Sequence, residues 1–178
     1  MTRLFVALTP SPQIAAALIA AMGGVAGARW QNADQLHLTL SFLGDVRADQ
    51  LPCLDGALAA IRAAPIALSC SGVGHFASKG HATTLWADAQ PAKPLTALAV
   101  KIDHVVRAIG IVPQGMRFMP HITMARLNRS TGSIDGFLVA QAGLSTPTAI
   151  VTECGLFESH LGSGGARYTL ISAYPLRI

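Results

Sequence analysis

The chain has 178 residues, of which 51% are hydrophobic and 12% charged; this excludes a disordered protein and leaves room for one domain or two small lobes sharing a core. Its net charge of +4 comes from 13 Lys and Arg against 9 Asp and Glu, spread along the whole length without a charge run or a low-complexity block. This balance points mildly to a polyanionic partner, because guanidinium groups hold phosphate bidentately.

In chain order, residues 3–8 (RLFVAL) alternate as a strand does, and Ser11-Pro12 caps a small-residue helix that ends at Gly23-Gly24. The same region has cues of a secretory leader, namely an early Arg, apolar stretches and an Ala-Gly-Ala. Pro10 and Pro12 split it, however, and the charge-free run from Ile14 to Ala28 is shorter than the ~20 residues of a bilayer span. A strand and a helix of a cytoplasmic protein are therefore expected, with no membrane contact. Residues 36–43 read as a strand ended by Gly44, and 48–63 as a helix with Leu51, Leu54, Leu58 and Ile61 at helical spacing. Two strands, 66–76 and 83–89, flank a turn at Lys79-Gly80. A helix from about Pro94 to Ile109 carries Leu95, Leu98, Ile102 and Val105 on one stripe. A strand over 118–127, a helix around 133–141, and strands 148–159 and 167–176 complete the chain, the last two separated by the Gly-rich turn 161–166.

The elements divide into two roughly parallel halves without full-length repetition, and no Pro- or Ser-rich linker separates them. The fold class expected is α+β: one bilobed domain over 1–178, a pseudo-twofold pair of antiparallel β-sheets facing a central cleft, with helices packed outside. A monomer is expected. Cys53, Cys70 and Cys154 are odd in number and form no CxxC, so they read as small buried residues of a reduced compartment.

Each half contains a His and a Thr two apart in an apolar strand: His37 and Thr39 in LHLTLSFLG, His121 and Thr123 in FMPHITMARL, 84 residues on. Alternation puts His37, Thr39 and Ser41 on one face and Leu38, Leu40 and Phe42 on the other, and likewise groups His121 with Thr123 opposite Ile122 and Met124. A single such pair is commonly just a satisfied polar pair at a sheet surface. Two in matching strands call for a shared task. Imidazoles, with an unperturbed pKa of ~6.5, both take and give protons near neutrality. A pair flanking a phosphodiester would deprotonate an attacking water or hydroxyl and protonate the leaving oxygen, with threonine hydroxyls and backbone N–H groups on the non-bridging oxygens. That scheme needs no metal or cofactor. A zinc site fits the motifs less well, because Thr is a poor ligand and no Asp, Glu or Cys shares either of them.

HLTL and HITM, with RLFVAL, Trp30, LWAD and LFESHLGSGGARYTLISAYPL in order around them, resemble the 2H phosphoesterase superfamily, in its RNA 2′,3′-cyclic phosphodiesterase (2′-5′ RNA ligase-like) branch. The resemblance covers nearly the whole chain. It implies a hydrolase that opens 2′,3′-cyclic phosphates on RNA ends or nucleotides to 2′-phosphates. His37 would be the proton donor to the leaving 3′-oxygen, His121 the proton acceptor from water, and Thr39 and Thr123 the phosphate-binding hydroxyls. Arg126, where the family often has Arg, is a further phosphate-binding candidate, although strict alternation turns it away from His121. Trp30, Phe42 and Tyr168 are candidates for stacking a base, with Phe42 expected in the core opposite His37. His75, His81, His104 and His160 read as ordinary polar residues. Two alternatives stay open: 2′-5′ ligation of RNA ends by the same groups, and a non-catalytic RNA- or nucleotide-binding module.

Overall fold

In the computed structural model, which describes residues 1–115, 118–162 and 165–178, the chain opens with strand β1 (Thr2–Leu8). Leu4 to Leu8 are all buried, so the alternation of RLFVAL is overridden: β1 is an interior strand covered on both faces. Helix α1 (Pro12–Ala20) follows. The Ser11 hydroxyl accepts from Ile14 N–H at 3.3 Å, Pro12 occupies the first turn where no N–H is needed, and Ile14, Ala15 and Leu18 turn inward. A two-residue strand, β2 (Arg29–Trp30), precedes β3 (Leu38–Val46). The helix expected over 48–63 is a 3₁₀ turn at Ala48–Gln50 followed by α2 (Leu51–Ala59). It stops early because Pro65 lies ahead and Ala63 N–H is taken by the Arg177 carbonyl at 3.1 Å.

The hairpin β4 (Ile66–Ser78) and β5 (His81–Gln90) turns at Lys79-Gly80, both in left-handed conformation, as read from sequence. Helix α3 (Ala92–Ala108) buries Leu95, Leu98, Ala99, Ile102 and Val106. Strand β6 (His121–Arg126) begins only after Pro120, which has no N–H to donate to a ladder. Then come α4 (Asp135–Ala140), β7 (Ala149–Val151), β8 (Glu153–Gly162) and β9 (Gly165–Pro175). The single strand expected over 148–159 is thus two. Thr152 leaves the ladder, its carbonyl accepting from Leu176 N–H at 2.7 Å, and β7 and β8 join different sheets. Of the Gly-rich turn expected at 161–166, residues 163 and 164 lie outside the described residues.

Two antiparallel sheets result, ordered β3-β1-β8-β9 and β2-β6-β5-β4-β7, sharing one apolar core with the helices. The strands correspond in pairs. Strands β1 and β5 are interior, each flanked on one side by a His-Thr strand (β3 or β6) and on the other by β8 or β4. The α+β, two-sheet expectation holds. Strand β3 lies against β6 where the sheets meet, and the loop before β6 is tied to it by Gln114 N–H donating to the Phe42 carbonyl at 2.7 Å. Cys70 and Cys154 are buried, and burial pushes their thiols up to about 12 and about 11. Cys53 is exposed, against expectation, because it sits on the outer side of α2 while Leu54 and Leu58 face in. Among the described residues no helix is long and apolar enough to cross a membrane.

Candidate active site

Leu38 is buried, Thr39 half-buried, Leu40 and Ser41 both buried, and Phe42 half-buried. Two consecutive buried residues break the alternation. The pairing with β1 shows why: Ala7 faces Thr39 and Val6 faces Ser41, leaving Leu40 as an extra residue in a β-bulge. Ser41 therefore swings inward, where its hydroxyl donates to Asp103 of α3 at 2.6 Å. Phe42 comes out on the His37–Thr39 side and lines the same cleft, which corrects its expected place in the core.

Strand β6 repeats the device. Ile122 is buried, Thr123 half-buried, Met124 and Ala125 both buried, and Arg126 exposed. Trp86 faces Thr123 and Leu85 faces Ala125, so Met124 is the extra residue. The bulge returns Arg126 to the cleft, where it joins His37 and Thr39 in lining one pocket and donates from Nη1 to Thr84 Oγ1 at 3.3 Å. Strict alternation would have turned it away. His37/Thr39/Phe42 and His121/Thr123/Arg126 thus occupy corresponding places, each with its bulge three residues after the histidine.

The histidines are held alike. The Gln35 carbonyl accepts from His37 Nδ1 at 2.8 Å, and the Met119 carbonyl accepts from His121 Nδ1 at 2.7 Å. Because a carbonyl only accepts, each Nδ1 carries a proton and each Nε2 is left for chemistry. Aromatic rings complete both sockets. Phe5 lies 4.9 Å and Tyr168 4.7 Å from the His37 ring, while Phe76 lies 4.9 Å and Trp86 6.3 Å from that of His121. Burial is the main influence on His37, pushing its pKa down to about 4; the bond to Gln35 opposes this, and the charges of Arg126 and His121 add to it. His121 is lowered chiefly by burial and further by Arg126, against the opposing bond to Met119. One guanidinium therefore acts on both imidazoles.

Next to His37 the cleft opens into a pocket of about 360 Å³ whose lining includes Thr39, Phe42, Arg126 and Tyr168. A larger hollow of about 1070 Å³ shares His37 and Tyr168 with it and is further bounded by residues 32–36, Phe157, His160 and Arg167. His121 and Thr123 stand on the adjoining strand rather than in the lining of either. The hydroxyls of Thr39 and Thr123 have no protein partner among the described residues, so both are free to donate. Of the aromatic candidates Tyr168 lines the pocket beside His37, whereas Trp30 packs on Phe137, 5.4 Å between centroids, and lines neither hollow. His75, His81, His104 and His160 are all exposed, His160 lying 3.3 Å from a Glu158 oxygen. Sequence reasoning missed Phe5, Phe76, Trp86 and Arg29. The first three look like ordinary core aromatics, and Arg29 belongs to a strand too short to show a period. Among the described residues no three His, Cys, Asp or Glu side chains group as metal ligands would.

The family model LigT like Phosphoesterase matches residues 8–86, a span that holds the first His-Thr pair. An RNA 2′,3′-cyclic phosphodiesterase of Thermus thermophilus is 31% identical over 98% of this chain and 90% of its own length. The chain belongs to the LigT-like phosphoesterases. Solved structures from this family superpose over the whole molecule. A phosphoesterase crystal structure does so with a TM-score of 0.81 at 27% identity, covering 100% of both chains. LigT of Escherichia coli in complex with 3′-AMP gives 0.75 at 26% identity, covering 99% of both.

Proposed function

We propose that this LigT-like phosphoesterase is a metal-independent RNA 2′,3′-cyclic phosphodiesterase. In the reaction, water attacks the cyclic phosphorus, the P–O3′ bond breaks, and a terminal 2′-phosphate with a free 3′-hydroxyl results. His121 Nε2 takes the proton of the attacking water, and His37 Nε2 delivers a proton to the leaving 3′-oxygen. Thr39 and Thr123 donate to the non-bridging oxygens, and Arg126 offsets the charge that builds on them. The substrates are RNA ends or nucleotides closed by a cyclic phosphate, a reading supported by relatives that are RNA 2′,3′-cyclic phosphodiesterases.

The observation carrying this reading is the matched pair of imidazoles, each with Nδ1–H spent on a carbonyl and Nε2 unspent, and both within the field of Arg126. A binding module has no use for two such groups. Steady-state kinetics on a nucleoside 2′,3′-cyclic phosphate in EDTA test it. His37→Ala and His121→Ala each lower kcat on the order of 10²- to 10⁴-fold, and the double variant loses little more than the worse single one, because the pair acts as a unit. Full activity in either single variant overturns the assignment.

A further inference from the structure

Strand β2 places Arg29 directly opposite Arg126 on β6. Like charges in that relation repel across an antiparallel ladder. A third guanidinium, that of Arg3 on β1, lies 4.9 Å over the Phe42 ring, and all three arginines line the pocket beside His37 together with Gln31. No Asp or Glu lines it, and among the described residues none of the three arginines forms a salt bridge. Each cation is nevertheless held. Arg126 donates to Thr84, Arg3 rests on Phe42, and the Arg29 guanidinium lies beside Gly165, where a β-carbon would come within 3.3 Å of its Nη1. The fold thus gathers three positive charges around one cleft; Asp45, opposite Arg3 across the β1–β3 ladder, neither forms a salt bridge with it nor lines the pocket.

A cyclic phosphate carries a single negative charge, which Arg126 with the two His-Thr pairs is enough to meet. Arg3 and Arg29 are in excess of it. We propose that these two form a second phosphate subsite, which takes the phosphate on the 5′-oxygen of the terminal nucleoside. This rests on the cyclic-phosphodiesterase reading and narrows it: the preferred substrate is a cyclic-phosphate end that also carries a 5′-phosphate, not a bare nucleoside 2′,3′-cyclic phosphate. The 5′-phosphate is either a terminal monoester or the diester joining the preceding nucleotide of an RNA strand.

Calorimetry with inert ligands reads the subsite without turnover. Adenosine 2′,5′-bisphosphate binds the wild-type protein on the order of 10- to 100-fold more tightly than adenosine 2′-monophosphate, as one or two charge-assisted contacts allow. In the Arg3→Gln/Arg29→Gln variant, whose altered side chains are both exposed, that ratio falls toward one. Equal affinities in the wild type, or a ratio that survives the double substitution, overturn the subsite. Turnover is then compared for adenosine 2′,3′-cyclic phosphate, its 5′-phosphorylated form and a dinucleotide ending in the same cyclic phosphate. A wild-type kcat/KM preference for the dinucleotide that the double variant loses assigns the subsite to an RNA diester; preference for the 5′-monophosphate alone assigns it to a monoester. Tight bisphosphate binding with none of the three opened leaves the subsite standing and removes the cyclic-phosphodiesterase reading. Opening of all three at equal kcat/KM with equal binding keeps that reading and removes the subsite.

Discussion

In the empty cleft His37 is a neutral imidazole whose one ring proton sits on Nδ1. Burial holds its pKa near 4 and lowers that of His121, so at neutral pH both are mainly uncharged; under the proposed mechanism His37, as donor, acquires its Nε2 proton only as the phosphate arrives and its negative charge favours imidazolium. Since kcat/KM reports the free enzyme and kcat the complex, the alkaline limb of kcat lies at higher pH than that of kcat/KM. Arg126→Gln removes a positive charge that lowers both histidines, so it shifts the kcat/KM limb to higher pH while reducing the rate. Parallel pH–rate profiles of the two proteins check both shifts, and coincident limbs contradict them. The same depression bears on stability. The folded pKa of His37 lies below its ordinary 6.5, so its contribution is present above that value and is lost as pH falls toward 4. At this scale the sequence was informative: the His-x-Thr spacing singled out four side chains that take corresponding places beside the two bulges. The aromatic sockets were not legible, because Phe5 and Trp86 carry no local mark of whose ring they will enclose.

At the scale of the element, the bulges at Leu40 and Met124 decide which residues face the cleft. Neither is flagged by Gly or Pro, so period-two reasoning stayed in phase past them and misplaced Phe42 and Arg126. The wall behind His121 offers a test of how firmly such strands are packed. A β-carbon at Gly74 of β4 would overlap the Trp86 ring, which leans on His121. Gly74→Ala therefore costs about 1–3 kcal/mol in denaturant unfolding and lowers kcat as the His121 socket shifts. Gly56 of α2 has open space around its would-be β-carbon, and Gly56→Ala stabilises by about 0.5–1 kcal/mol with kcat unchanged. The reverse order of the two variants would contradict the packing described.

At the scale of the whole molecule, two similar half-structures bring their His-Thr strands together across one shared core. The paired motifs and the alternating order of elements made this legible in advance. What escaped was long-range: which sheet each C-terminal strand joins is settled at Thr152 by a bond to Leu176, and Arg29 matters only because β2 lands beside β6. Of the 13 Lys and Arg, three arginines line the one cleft beside His37, where the proposed substrate is an anion. An RNA end engaging two or three phosphates there should lose about tenfold in kcat/KM between roughly 50 and 200 mM salt, with kcat nearly constant. A salt-independent kcat/KM would separate the charge from the reaction. In the proposed reaction His37 and His121 together open a cyclic phosphate at its 3′-oxygen. Phosphorus NMR of the product formed from adenosine 2′,3′-cyclic phosphate by the EDTA-treated protein tests it most directly: a 2′-phosphate as the sole isomer is the expected result, and a 3′-phosphate or unopened substrate would contradict it.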